Sequence, residues 1–287
     1  MNIKKITPSA NGYPSLLSQI PSPPKQLYCL GKHLEELEGK PTIAIIGSRN
    51  VSPYGRHVTE ELASGLARNG LVIVSGLAMG VDGIAHHATV EAGGTAIAVL
   101  PCGLDRIYPA TNHNLAKSIL AHGGTIVSEY PKNTDPRREN FVARNRIISG
   151  LSLAVLITEA AERSGSLHTA NFALEQGREV LAVPGNITSQ TSVGTNNLIK
   201  TGATPVTCVE DVLQALKIEA LDPSKKEIEA ATEEEHAIII LLKKGIIDGD
   251  ELLARSELKP AIFNQTLTMM EITGKVKPGG NGTWLIL

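Results

Sequence analysis

From residue 41 onward, short apolar runs alternate with longer stretches in which apolar positions recur every three or four residues. The runs are TIAIIG (42–47), LVIVSG (71–76), TAIAVLPCG (95–103), GTIVSE (124–129), LAVLITEA (153–160) and EVLAVPG (179–185). Each is apolar on both faces, the pattern of parallel strands covered by helices on either side. The stretches between are amphipathic. In YGRHVTEELASGLARNG (54–70), Val58, Leu62, Ala63 and Leu66 share a face, and Gly70 closes the helix. Strand and helix in repeated alternation predict an α/β fold with a doubly wound, mostly parallel sheet.

The rhythm is absent at both ends. Residues 1–40 read as a lead punctuated by Pro21, Pro23 and Pro24, with LYCLG (27–31) as a short strand. The main domain is expected over 41–216. Residues 217–235 are charged and read as a linker. Beyond it, over 236–287, the pattern changes to three helical stretches ending in KPAIFNQTLTMMEITG (259–274), where Ile262, Phe263, Leu267 and Met270 are expected to face inward. KVKPGGNGTWLIL (275–287) follows as a hairpin around a Gly-rich turn. Three helices and a hairpin predict a small winged helix-turn-helix domain.

Composition narrows the partners. The 287 residues carry a formal net charge of -2 and are 42% hydrophobic but only 3% aromatic. Long rows of stacking rings and a uniformly basic surface are therefore excluded, and any anion must be held at a local site. Cys29, Cys102 and Cys208 lie far apart with no CxxC, which gives neither a zinc pattern nor a disulfide framework and fits a reducing cytoplasm. The N-terminus lacks the apolar run of a signal peptide, and no membrane span is expected. No cofactor is implied.

In open α/β sheets ligands bind beyond the carboxyl ends of the strands. Gly47, Ser48 and Arg49 follow the first run, and an arginine beside a glycine and a helix start suits phosphate. Ser75 and Gly76 open the second loop, where their hydroxyl and amides are expected to cradle another phosphate. Asn112 is expected to cap a helix. Arg144, Asn145 and Arg146 stand before the fifth run, and Ser164, Gly165 and Ser166 follow it. The convergence of these groups on one sheet edge suggests a site for several phosphates in a row. His86 and His87 lack further ligands at helical spacing and read as ordinary helix residues rather than a metal site. Glu129, Glu159 and Glu175 read as caps or ion-pair partners rather than catalytic acids. GxGxxG, Walker A and GxSxG motifs are absent.

GSRNVSPYG, SGLAMGVDGIAHHA, GLDRIYPATN, GGTIVSEYP, FVARNRIISGLS, EAAERSGSLHTANFALEQGREVLAVPG and GTNNLIKTGA occur in this order. The ordered set resembles the DNA-processing protein A family, DprA or Smf, whose members have a Rossmann-like domain often followed by a winged helix. The resemblance implies a cytoplasmic, dimeric protein that binds and protects single-stranded DNA and loads the recombinase RecA in natural transformation. It also implies that Arg49 and the Arg144-Asn145-Arg146 motif belong to the DNA pocket. NNLIKTGA (196–203) is the candidate dimer surface, through Leu198 or Ile199. Two departures stand out. Val142 replaces a proline common before the arginine motif. Ala110 replaces a lysine, which leaves one phosphate contact missing or supplied by Lys117 or Arg106. The sterile alpha motif-like domain of some members is not expected, since forty residues are too few for it.

The competing class is a nucleotide-binding or nucleotide-hydrolysing enzyme of the wider Rossmann-like group. Those hydrolases carry a PGGxGT-type loop near a catalytic glutamate and arginine. RSGSLHT stands at the comparable place here, so the motif does not match.

Overall fold

The computed structural model describes residues 3–10, 12–220, 232–273, 275–280 and 282–286. The chain divides into two compact units, Met1–Ala220 and Leu221–Leu287.

The first unit is built on one nine-stranded sheet. Its strands are β1 (Lys4–Ile6), β2 (Leu27–Gly31), β3 (Thr42–Ile46), β4 (Val72–Ser75), β5 (Ala96–Leu100), β6 (Thr125–Ser128), β7 (Ala154–Ile157), β8 (Glu179–Ala182) and β9 (Thr204–Pro205). They lie in the order β1-β2-β6-β5-β4-β3-β7-β8-β9. β3 to β9 run parallel, while β2 is antiparallel to β6 and β1 to β2. Residues 1–40, read from sequence as a separate lead, thus supply two strands to this sheet. Its helices are α1 (Ser15–Ser18), α2 (Pro53–Arg68), α3 (Val81–Glu91), α4 (His113–Ala121), α5 (Arg138–Gly150), α6 (Ser166–Glu175), α7 (Val193–Lys200) and α8 (Val209–Leu216).

The strands alternate between two apolar layers, as their double-sided pattern requires. Ile43 and Ile45 of β3 pack with Leu62, Ala63 and Leu66 of α2 and Val212 of α8. Ala44 and Ile46 face the other way, toward Ile147 and Ile148 of α5 and Ala170 of α6. α2 begins where Pro53 follows Ser52, whose hydroxyl accepts a bond from the Gly55 amide at 3.0 Å. It ends before Gly70, which turns left-handed at φ +80°.

The sheet fixes where a ligand can approach. The chain steps from β3 through β4 and β5 to β6, then crosses back to β7 on the other flank of β3. The switch point therefore lies between the carboxyl ends of β3 and β7.

The second unit holds α9 (Glu233–Lys243), α10 (Gly249–Ser256), α11 (Pro260–Ile272) and a hairpin of β10 (Val276–Gly280) with β11 (Thr283–Ile286). Ile238, Ile239, Leu252, Phe263, Leu267, Met270 and Val276 form its core. Ile262 was expected inside with Phe263 but is 41% exposed, because adjacent helical residues point about 100° apart. Residues 221–231 of the expected linker lie outside the described residues. Its last three residues instead form the first turn of α9, capped by the Thr232 hydroxyl.

Candidate nucleic-acid interface

The carboxyl edge of the sheet is assembled by close backbone approaches. A Cβ on Gly80 would collide with the Ser48 carbonyl, so this glycine, at φ +79°, lets the start of α3 pass against the loop after β3. A Cβ on Gly76 would collide with the Arg144 guanidinium. That arginine lies beneath the loops, not on them.

Arg144 is only 4% exposed. Its Nη1 donates to the Gly76 carbonyl at 2.7 Å and to the Val99 carbonyl, and its Nε donates to Asn145 Oδ1 at 3.2 Å. The expected direct phosphate contact is corrected accordingly, since these N–H groups are committed to clamping the ends of β4 and β5. Burial pulls Arg144 down to about 10, opposed by the nearby Asp82 carboxylate, so it stays charged at neutral pH. Asp82 is buried as well, and burial pushes its carboxyl up against the pull of Arg144. Asp82 Oδ2 accepts the Gly76 amide at 3.1 Å.

Those bonds also correct the reading of the second loop as a phosphate cradle. Ser75 is fully buried and donates its hydroxyl to the Ile45 carbonyl at 2.6 Å. The Gly76 amide already serves Asp82. Asn112 does not cap α4 through its side chain. Its Nδ2 instead donates to the carbonyls of Leu77 and Ala78 at 2.9 and 3.2 Å, tying the loops after β4 and β5 together.

Arg146 points elsewhere, as two residues' separation on a helix dictates. It pairs with Glu129 at 2.7 Å, with both side chains largely covered. Ser164 and Ser166 share a hydroxyl bond of 2.8 Å at the start of α6, Ser166 is buried, and Gly165 lies exposed between them. Arg106, a candidate stand-in for the lysine missing at Ala110, is paired with Asp135 at 2.6 Å. Lys117 is exposed on α4.

At the switch point a carboxylate is already seated. Glu159, 1% exposed, accepts the Ser52 amide at 2.8 Å and the Ser52 hydroxyl at 2.5 Å. Its backbone carbonyl accepts the Ser48 amide at 2.8 Å. Gly47 and Gly55 have no side chain because Glu159 fills that space. The positive end of α2 is thereby satisfied from within the chain. Ser48 is spent on its own turn, donating to the Asn50 carbonyl at 2.8 Å.

Arg49 is left projecting from this edge. It is exposed, and among the described residues no ion pair is formed by it. Its guanidinium lies over the ring of Phe141, 5.1 Å from the centroid. Phe141 in turn meets Tyr108 edge to face, with centroids 5.5 Å apart and planes at 73°. Tyr108 is 40% exposed and Val142 41%. The aromatic pair escaped the sequence reading. Its signal was Phe141, an aromatic three residues ahead of Arg144 in a chain poor in rings.

A mostly parallel, doubly wound sheet followed by a winged-helix unit defines the class, an α/β protein with its switch point between β3 and β7. Residues 4–217 match the model of the DNA recombination-mediator protein A family, and residues 222–282 match that of the DprA winged helix domain; the chain belongs to this family. It is 42% identical over 214 residues to the DNA processing protein DprA of Bacillus subtilis, covering 75% of this chain and 71% of that protein. Against Protein Smf of Synechocystis it is 43% identical over 217 residues, covering 75% of this chain and 54% of that one. The chain thus spans about half the length of that relative. Two of the solved structures that align with it are of DNA processing protein A. DNA processing protein A of Streptococcus pneumoniae superposes with a TM-score of 0.69 at 42% identity, covering 74% of each chain. The Helicobacter pylori protein, described for a unique single-stranded DNA binding mode, superposes with a TM-score of 0.67 at 36% identity, covering 75% of this chain and 95% of that one. No helix among the described residues is long and apolar enough to cross a membrane.

Proposed function

We propose that the chain binds single-stranded DNA along the carboxyl edge of its sheet, with Arg49 on a phosphate and the Phe141–Tyr108 pair as a platform for a base. The exposed Arg49 guanidinium, 5.1 Å from the centroid of the Phe141 ring and in no ion pair among the described residues, carries this reading. One cation gives a sequence-independent phosphate contact, and a ring face accepts any base. Gly47, Ser48, Gly76, Asn112 and Arg144 act beneath it by fixing the loops, and Gly165 borders the same edge. The single-strand binding described for the Helicobacter pylori relative supports this assignment. Family membership further supports a role as a recombination mediator that loads a RecA-type recombinase, acting as a cytoplasmic homodimer. Leu198 and Ile199 of α7, the candidate dimer residues, are half-buried against the core, so only part of each side chain is open to a partner. The seated Glu159 weighs against a nucleotide-hydrolysing enzyme, because it fills the helix end where a nucleotide phosphate would bind.

Replacing Arg49 with alanine is the test. Affinity for single-stranded DNA is expected to fall alike for all base sequences, with the log–log salt slope reduced by about 0.7. Unchanged affinity and slope would remove the site.

The winged-helix unit supports a contact with protein more than with duplex. From Ser224 onward eight Lys or Arg stand against ten Asp or Glu, a poor footing for phosphates. Ile262, Met269 and Ile272 are 41%, 49% and 73% exposed on α11, the helix that would enter a major groove. Residues 224–287 alone are expected to bind short duplex DNA more weakly than about 1 μM at near-physiological salt. Titration by fluorescence anisotropy checks this, and tighter binding contradicts it.

A further inference from the structure

The loop after β8 presents an apolar side chain that the core does not use. Ile187 is 89% exposed, more than any other large hydrophobic residue among those described. Isolated exposed apolar residues are common and usually mean little. This one sits on an unusually well-fixed loop. Asn196 of α7 pins Gly185 from both sides, accepting its amide at 3.2 Å and donating to its carbonyl at 3.0 Å. A side chain on Gly185 would collide with the Ser192 hydroxyl, so the loop closes tightly there. Asn186 Oδ1 then accepts both the amide and the hydroxyl of Thr188, at 3.0 and 2.8 Å, and the Asn186 carbonyl accepts the Ser189 amide at 2.9 Å. The polar groups on either side of Ile187 are thus satisfied within the loop while its side chain is held in solvent.

A second exposed ring belongs to the same corner. Tyr54, in the first turn of α2, is 48% exposed, and its hydroxyl donates to the Pro184 carbonyl at 2.8 Å. That bond fastens the ring three residues ahead of Ile187 and leaves much of it uncovered. Tyr54 is five residues past Arg49, at the opposite end of the loop after β3.

Topology puts the two loops on one line. β3 and β8 both flank β7, so the loops after β3 and β8 leave the same edge two strand spacings, or about 10 Å, apart. A single strand advances at least about 3.4 Å per nucleotide, so that gap corresponds to about three nucleotides or fewer.

We propose that Tyr54 and Ile187 form a second, apolar subsite for bases of the same single strand, a few nucleotides along from the one at Arg49. This rests on the proposed DNA reading of the Arg49 site. The two subsites divide the work. Arg49 supplies a phosphate contact that depends on salt, whereas Tyr54 and Ile187 supply base contacts that do not.

The test uses the full chain and oligothymidylates of two and about twelve nucleotides, the shorter unable to span the gap between the subsites and the longer able to cover both. Ile187→Ser is expected to weaken binding of the longer oligomer about five- to tenfold. Its affinity for the shorter one and its salt slope should stay at wild-type values, and Ile187→Leu should restore the longer oligomer. Wild-type affinity of Ile187→Ser for the longer oligomer, while Arg49→Ala still loses binding, overturns the subsite and leaves the Arg49 site standing. Wild-type affinity and slope in Arg49→Ala instead overturn the reading on which the subsite rests. Conversion of the protein to a smaller assembly by Ile187→Ser, with DNA affinity unchanged at both lengths, assigns Ile187 to a protein interface and also overturns it.

Discussion

Arg144→Ala is expected to lower the stability of the first unit by about 3–5 kcal/mol, the usual cost of removing one partner from a buried charged network. Whole domains are stable by only about 5–15 kcal/mol, so much of the margin is lost. The carbonyls of Gly76 and Val99 would lose a charged donor, and water has little access to replace it. Asp82 would lose the positive charge that offsets its own burial. Gly76 would be left facing a void shaped to the guanidinium. Urea denaturation at neutral pH checks the expectation, with the native baseline showing how much folded protein remains for DNA titration. The remaining folded fraction should keep the wild-type salt slope, because no phosphate contact has been removed. A variant with the wild-type midpoint and a slope smaller by about 0.7 would return Arg144 to the phosphate and contradict the clamp.

That outcome bears on how far the sequence could be read. The parallel strands were legible because burial on both faces demands unbroken apolar runs, and Ile43 to Ile46 divide between two cores as that pattern requires. β9 was not, since two residues carry no periodicity. The sheet edge that carries the candidate site was legible from the alternation of strand and helix, and Arg49, a candidate beside a glycine turn, is exposed there. The direction of the other cations was not legible. Sequence records that Arg144 and Arg146 are charged but not that the first turns under the sheet and the second toward Glu129. Ser75 misled for a related reason. A serine ending a strand has equal title to face a ligand or a neighbouring carbonyl, and here the Ile45 carbonyl takes it. Glu159 was read as a cap or an ion-pair partner, and it accepts the Ser52 amide and hydroxyl at the start of α2, more than a hundred residues away in sequence. No local pattern specifies such a partner.

His86 carries the second large expectation, and it concerns pH. The residue is fully buried on α3, one turn beyond Asp82. Burial pulls its imidazole from 6.5 down to about 4, outweighing the Ser75 backbone that favours the charged form, and the Arg144 charge adds to the depression. The folded protein therefore keeps His86 neutral at a pH where the unfolded chain has already protonated it. Stability from this group is complete above about pH 6.5, declines as the pH falls through that value, and is fully lost near pH 4. A depression of this size corresponds to about 3 kcal/mol. Asp82 works in the opposite sense, because its raised carboxyl takes up a proton more readily in the folded state than in the unfolded one. A comparison is therefore needed to isolate the histidine. His86→Gln removes the titrating group and retains Asp82, so its stability should be lower at pH 7 but should fall less between pH 7 and pH 5 than that of the unsubstituted protein. Urea midpoints at the two pH values, with the denaturant slope held in common, measure that difference. Equal losses of stability in the two proteins would mean that His86 is protonated as easily when folded as when unfolded, and the buried neutral imidazole would have to be abandoned.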